Sequence, residues 1–310
     1  MLANRSAKRT QKLLNHSLIL LSKGEIRKAK KKLKSASSTN HPILQSFLLN
    51  IEMSIDSGDI AESHNWVKKA SSKLPEVKDY IYLFASKLLI DAECFIDARS
   101  YVDELIESNP KNPAANQLLF EILKDTRDYD LILRKIFEFT DYINGDELAQ
   151  TIHSLVKEAI KDQKPTKTIF ERIPRSIDKH PMIITSKIEA WIDNKEYLKA
   201  ETELRKQIPN NWNKELIILY AELGEDNLNG LSERVDKWLE ERPKDANLWL
   251  VASRLAQKDG LWSKAQQCIE RSIEIKPVSE VYTELALILS ELGEKEQASE
   301  ALKLARQTSG

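Results

Sequence analysis

Residues 246–277, ANLWLVASRLAQKDGLWSKAQQCIERSIEIKP, decide the fold. Apolar residues recur three and four apart on both sides of Gly260, which is the period of two amphipathic helices rather than of strands. Trp249 stands near the start, Gly260 at the turn, Ala265 in the second helix and Pro277 at its end. Glycine supplies the conformation a tight turn needs, and proline stops the second helix. The next stretch, Ser279 to Arg306, follows the same plan with Tyr282, Leu285, Ala286, Gly293, Ala298 and Ala305. Ala265 and Ala298 are 33 residues apart. A lone helix pair exposes too much apolar surface to be stable. A row of pairs buries it between neighbours, and that makes a solenoid.

Working outward, the plan recurs toward the N-terminus. Gly24, Ala29, Leu33 and Ala36 mark a first unit, and Gly58, Val67, Ala70 and Pro75 a second. Tyr82, Ala85, Ala98, Val102 and Pro110 mark a third. A fourth starts at Pro113 and keeps Leu119, Tyr129, Ile132 and Ile136 without a glycine. Residues 146–180 are degenerate, although DELAQTIHSLVKEAIKD and TKTIFERIPRSIDK still read as two amphipathic helices. Further units run from Pro181 (Trp191, Ala200, Leu204) and from about Trp212 (Leu231, Val235, Trp238, Pro243). The pattern resembles the tetratricopeptide repeat of about 34 residues. The expected fold is an all-α, right-handed superhelical solenoid of about nine tetratricopeptide-like pairs. The expected blocks are 1–145 with a basic first unit at 1–43, a degenerate helical connector at 146–180, and 181–310.

Composition agrees with helices. Of 310 residues, 31% are charged and only 7% aromatic, with 8 Gly and 10 Pro. No apolar run approaches the roughly 20 residues of a membrane span, and no signal peptide is visible. Two distant cysteines, Cys94 and Cys268, give no disulfide framework and point to a reducing compartment. The net charge of −1 hides an asymmetry: residues 1–34 hold eleven Lys/Arg and one acid, Glu25. An arm so basic points to an anionic surface.

Two stretches, RSAKRTQKLLNHSLILLSKGEIRKAKKKL at 5–33 and VDKWLEERPKDANLWLVASRLAQKDGLWSKAQQCIERSIEIKPVSEVYTELALILSELGEKEQA at 235–298, carry a closer resemblance. They are similar to the HemY-like family of proteobacterial tetratricopeptide proteins. The resemblance implies a protein associated with late haem (protoheme) biosynthesis, held at the cytoplasmic face of the bacterial inner membrane by two N-terminal helices. Those helices are missing from this sequence, so a soluble domain starting just after the anchor is expected. The similarly named flavoprotein oxidase is not implied, because no Gly-rich dinucleotide fingerprint follows a strand.

The candidate sites follow from these readings. Arg27, Lys28, Lys30, Lys31, Lys32 and Lys34 cover the outer face of a second helix and are expected to meet anionic lipid headgroups. Nucleic acid is not expected, because no aromatic residues are interleaved for base stacking. The concave side of such a repeat is lined by first helices. There the register places Gln45, Glu52, Tyr80, Lys87, Gln117, Glu121, Glu189, Tyr220 and Arg254 as partner-binding residues. The list lacks the Lys/Asn clamp of chaperone-binding repeats, which disfavours a carboxylate-terminated ligand. His16 is assigned to a core position, His41 and His180 precede prolines, and no histidine spacing fits a metal. No resident cofactor is expected; haem, which a single His or Cys can hold, is the alternative. No nucleophile–base pair or phosphate loop can be assembled. Three roles follow: a non-catalytic scaffold binding proteins such as haem-biosynthesis enzymes, a haem or porphyrin carrier, or a generic envelope adaptor.

Overall fold

The computed structural model describes residues 2–39, 42–224 and 230–308. Among them are eighteen α-helices and no strand. Two compact units divide the chain, Met1–Asn144 and Gly145–Gly310.

The first unit contains α1 (Leu2–Ser22), α2 (Ile26–Ser37), α3 (Leu44–Asp56), α4 (Ile60–Lys73), α5 (Lys78–Asp91), α6 (Phe95–Ser108), α7 (Pro113–Asp125) and α8 (Tyr129–Phe139). Each odd helix packs on the even helix that follows. α2, α4 and α6 each pack on the next pair, and α5 also touches α3 and α7. Alanines at close approaches (Ala29, Ala36, Ala70, Ala85, Ala98) are fully buried, so helix backbones can meet there. Phe120 and Phe139 pack edge-on with centroids 5.1 Å apart and lock α7 to α8.

The second unit contains α9 (Gly145–Lys161), α10 (Lys167–Phe170), α11 (Pro181–Asp193), α12 (Tyr197–Asn210), α13 (Lys214–Ala221), α14 (Leu231–Glu241), α15 (Ala246–Lys258), α16 (Trp262–Ile275), α17 (Ser279–Glu291) and α18 (Lys295–Gln307). Its core centres on Leu204, Leu216, Tyr220, Val235, Trp238 and Val251. One expectation fails here. TKTIFERIPRSIDK does not form a full helix; α10 has four residues and turns follow it. Pro174 lacks an N–H and restrains Ile173, so the helix cannot continue. Ile169, Ile173 and Ile177 are still buried and hold the segment by packing.

The turns inside the pairs share one geometry. Gly24, Gly58, Gly260 and Gly293 take positive φ between 71° and 82°. Glu93, Arg127, Gln163 and Lys195 take φ of 55–59° at the equivalent places. In each, the next residue's N–H returns to a carbonyl of the last helical turn, as Asp128 N to Leu123 O at 2.9 Å and Glu25 N to Leu20 O at 2.9 Å. This is the Schellman closure, so a turn without glycine is still the same turn.

Candidate protein-docking faces

In the first unit, Gln45 and Glu52 lie on α3, Tyr80 and Lys87 on α5, and Gln117 and Glu121 on α7. Stacking of these odd helices brings Glu52, Lys87 and Glu121 into one row. Tyr80 is 52% exposed and stacks on Phe84, with centroids 6.5 Å and planes 25° apart. Gln117 Nε2 donates to Tyr142 O at 3.2 Å, so that amide is turned toward its own chain.

In the second unit, Glu189 on α11 is mostly enclosed. His153 Nδ1 lies 3.6 Å from its Oε2, and Lys157 Nζ 3.7 Å from Oε1. No hydrogen bond reaches Oε2. Burial, opposed by Lys157 and reinforced by Glu222 and Glu215, pushes the Glu189 pKa above the usual carboxylate range. Burial also raises Glu222 and, with Lys157, lowers His153. Arg254 on α15 is already engaged. Its Nε donates to Glu284 at 2.7 Å and its Nη2 to Glu280 at 3.1 Å. Gln257 reaches Glu284 at 3.2 Å, and Lys214 lies 3.5 Å from Glu280. These bonds join α13, α15 and α17 into an ionic lattice.

Tyr220 requires a correction. It is completely buried, edge-on to Trp238 at 5.0 Å, and presents nothing to a partner. Among the described residues its phenol oxygen has no hydrogen-bond partner, and burial raises its pKa to about 12. The more open positions are Glu215 and Ile218 on α13 and Glu222, the residue that caps its end, at the i, i+3, i+7 spacing of one helix face. α13 starts at Lys214 and α15 at Ala246, 32 residues apart rather than about 34, so a register carried at the full repeat period falls two positions off.

The basic residues of α2 lie on the side away from its buried Ala29, Leu33 and Ala36, and three of them are engaged by neighbours. Lys28 pairs with Glu25 at 2.5 Å, Lys34 with Glu62 at 2.6 Å, and Lys30 donates to Ser57 Oγ at 3.1 Å. Lys32 is half-buried, while Arg27 and Lys31 are exposed. Ile19 and Ile26 beside the α1–α2 turn are also exposed.

The histidines divide similarly. His16 is exposed, not in the core, and His41 lies outside the described residues. His180 caps α11 through Met182 N and pairs with Asp146 at 2.9 Å. His64 joins Asp97 at 2.7 Å on one side and the Tyr101 hydroxyl on the other. This chain has the form of an activated relay, but burial drives the Tyr101 pKa upward, opposite to what a nucleophile needs. Cys268 is 5% exposed and its thiol pKa is raised by burial, which makes it a packing residue. Among the described residues no group of three His, Cys, Asp or Glu could hold a metal. No described helix is long and apolar enough to cross a membrane.

No family model matches the chain, and no curated protein does. Several solved structures are similar to it. A tetratricopeptide repeat protein from Parabacteroides merdae shares 14% identity at a TM-score of 0.39, over 86% of this chain and 93% of its own. Human IFIT1, solved as a dimer with m7Gppp-AAAA, shares 15% identity at a TM-score of 0.36, over 92% of this chain and 65% of its own. Naa15/Naa10 bound to HypK-THB shares 13% identity at 0.35, over 98% of this chain and 49% of that one. Likeness this distant carries nothing about ligand or partner. The helix pairing and the shared turns identify the fold: the chain is an all-helical repeat solenoid built from tetratricopeptide-like pairs.

Proposed function

We propose that this chain is a non-catalytic scaffold that holds other proteins on the faces of its odd-numbered helices, in support of late haem biosynthesis at the bacterial inner membrane. One observation carries the scaffold reading. Tyr80 and Phe84 form a solvent-open aromatic step beside Glu52, Lys87 and Glu121, none of which is bound by an ion pair among the described residues. Exposed aromatic area with uncommitted charges is what a partner needs for an anchor and a rim. The haem-related part rests on the resemblance of residues 5–33 and 235–298 to HemY-like proteins. Exposed Arg27 and Lys31 next to Ile19 and Ile26 support contact with an anionic membrane surface.

The test is capture of purified tetrapyrrole-synthesis enzymes by the chain and by its Tyr80→Ala/Phe84→Ala variant. The proposal expects at least one enzyme to be retained by the parent and lost with the variant. Retention of none would remove the haem-related part, and equal retention by both would remove the docking face. Sedimentation with phosphatidylglycerol vesicles checks the membrane contact. Arg27→Glu/Lys31→Glu should reduce it, and an unchanged bound fraction would contradict it.

A further inference from the structure

The odd-helix face of the first unit carries two more rows. Residues 35 and then 34 positions apart fall side by side across α3, α5 and α7. Leu49, Phe84 and Leu118 form an apolar row that is half-exposed, with Tyr80 stacked on its middle member. Seven residues further along each helix stand Asp56, Asp91 and Asp125. Each is the last residue of its helix and each is exposed. No ion pair engages any of the three among the described residues. The row of Glu52, Lys87 and Glu121 lies between.

The aspartates stand where their own helices oppose them. A helix C-terminus carries partial negative charge and favours a cation. Neither α3 nor α5 has a basic residue in its last turn. α7 carries Lys124 in its last turn. Asp56 and Asp91, on helix ends with no basic neighbour, therefore weaken the free chain, and an arriving cation relieves them. Over the two charged rows there are five carboxylates and one ammonium, Lys87.

We infer that this face docks an extended segment of a partner protein carrying Lys or Arg at every third residue, each with an apolar neighbour. The inference rests on the scaffold reading and gives the chemistry of its partner. Packed helices lie about 8–10 Å apart. A polyproline-type segment rises about 3.1 Å per residue with three residues per turn, so every third side chain shares a face at about 9 Å intervals. One face of the segment meets the aspartates. The next meets Leu49, Phe84 and Leu118, and the backbone lies over the middle row. An acidic segment or a phosphate backbone is repelled.

The probe is a synthetic peptide of about 12 residues, long enough at roughly 3.1 Å per residue to cross three helices. It has Lys at every third position and Leu after each Lys, and its binding to the full chain is read by fluorescence anisotropy. Its comparators are a peptide of the same composition with contiguous lysines and one with Glu replacing Lys. The spaced peptide should bind more tightly than both comparators. D56K/D91K/D125K should weaken it by about tenfold, the combined loss of three exposed charge pairs. Reversing Glu76, Glu107 and Asp130, which lie off this face, should change it by less than about twofold on the same scale. The triple variant should melt no lower than the parent, because lysine suits a helix C-terminus, and this separates lost binding from lost folding. Equal weakening by both reversals, no preference for the spaced peptide, or no binding would each overturn the inference. Binding of the Glu peptide that is lost with Phe84→Ala would overturn the basic occupant and keep the docking face. If no peptide responds to any odd-face substitution, the docking face falls as well.

Discussion

At the scale of the residue, two positions show two kinds of local cost. Arg127 holds φ at 55° to complete the turn between α7 and α8, a conformation that costs a residue with a Cβ about 1–2 kcal/mol. Glycine removes that cost but adds backbone entropy to the unfolded chain, worth about 0.5–1 kcal/mol. Arg127→Gly should therefore stabilise the first unit by a net of about 0.5–1 kcal/mol, measured by urea unfolding; destabilisation would show that the turn's strain has been misjudged. Glu189 is the second position. Its folded-state pKa is raised chiefly by burial, so its charged form is less favoured in the fold than in the unfolded chain. Its contribution is complete below the ordinary carboxylate pKa, about 4.3, and is lost as pH rises through the raised folded value. Glu189→Gln should thus raise the melting temperature at neutral pH and narrow the gap between variant and parent in acid. His153 acts in the other direction. Its depressed pKa contributes stability above about pH 6.5 that is lost on acidification. A variant less stable than the parent at neutral pH would mean that the Lys157 and His153 contacts outweigh burial.

At the scale of the element, sequence was most informative where one residue type has one job. Gly260, Gly293, Gly24 and Gly58 each mark a left-handed turn, and the alanines each mark a close helix approach. It was silent where context replaces residue type. Glu93, Arg127, Gln163 and Lys195 make the same turn, because the two closing hydrogen bonds and the packing of the helices hold them there. α10 was overread because isoleucines at four-residue spacing (Ile169, Ile173, Ile177) also suit a packed turn, and Pro174 settles between the two. The row Asp56, Asp91 and Asp125 was present in the sequence as a periodicity of 35 and 34, yet it becomes meaningful only when all three are seen to end their helices. In the second unit, Arg254 was read as a residue waiting for a partner, but Glu280 and Glu284 occupy it. Arg254→Ala should therefore act first on stability. It leaves Glu284, 17% exposed, without its charged donor, at about 1–2 kcal/mol. Chemical denaturation would register that loss, and an unchanged midpoint would mean that the lattice is ornamental to stability.

At the scale of the whole molecule, the repeat fold divides the chemistry between a basic N-terminal stretch and acidic rows on the odd helices. The strong basic excess of residues 1–34 was legible from charge alone. Its pairing was not: Lys28, Lys30 and Lys34 are engaged by Glu25, Ser57 and Glu62, while Arg27 and Lys31 are exposed with no ion pair among the described residues. Such pairing depends on how α2 packs beside its neighbours, and no count of charges contains it. The placement of Glu52, Tyr80, Lys87 and Glu121 on odd helices was legible because the repeat period fixes which residues share a row. Tyr220 was misplaced because α13 and α15 start 32 residues apart rather than about 34. The central claim is that partners are held on the odd-helix face. Site-specific photo-crosslinking in cells tests it most directly, with the reactive residue placed at Tyr80 on α5 or at Ile96 on α6, 52% and 88% exposed. The account predicts a discrete protein adduct from position 80 and none from position 96, although position 96 is the more open. An adduct from position 96 alone, or from neither, would contradict it.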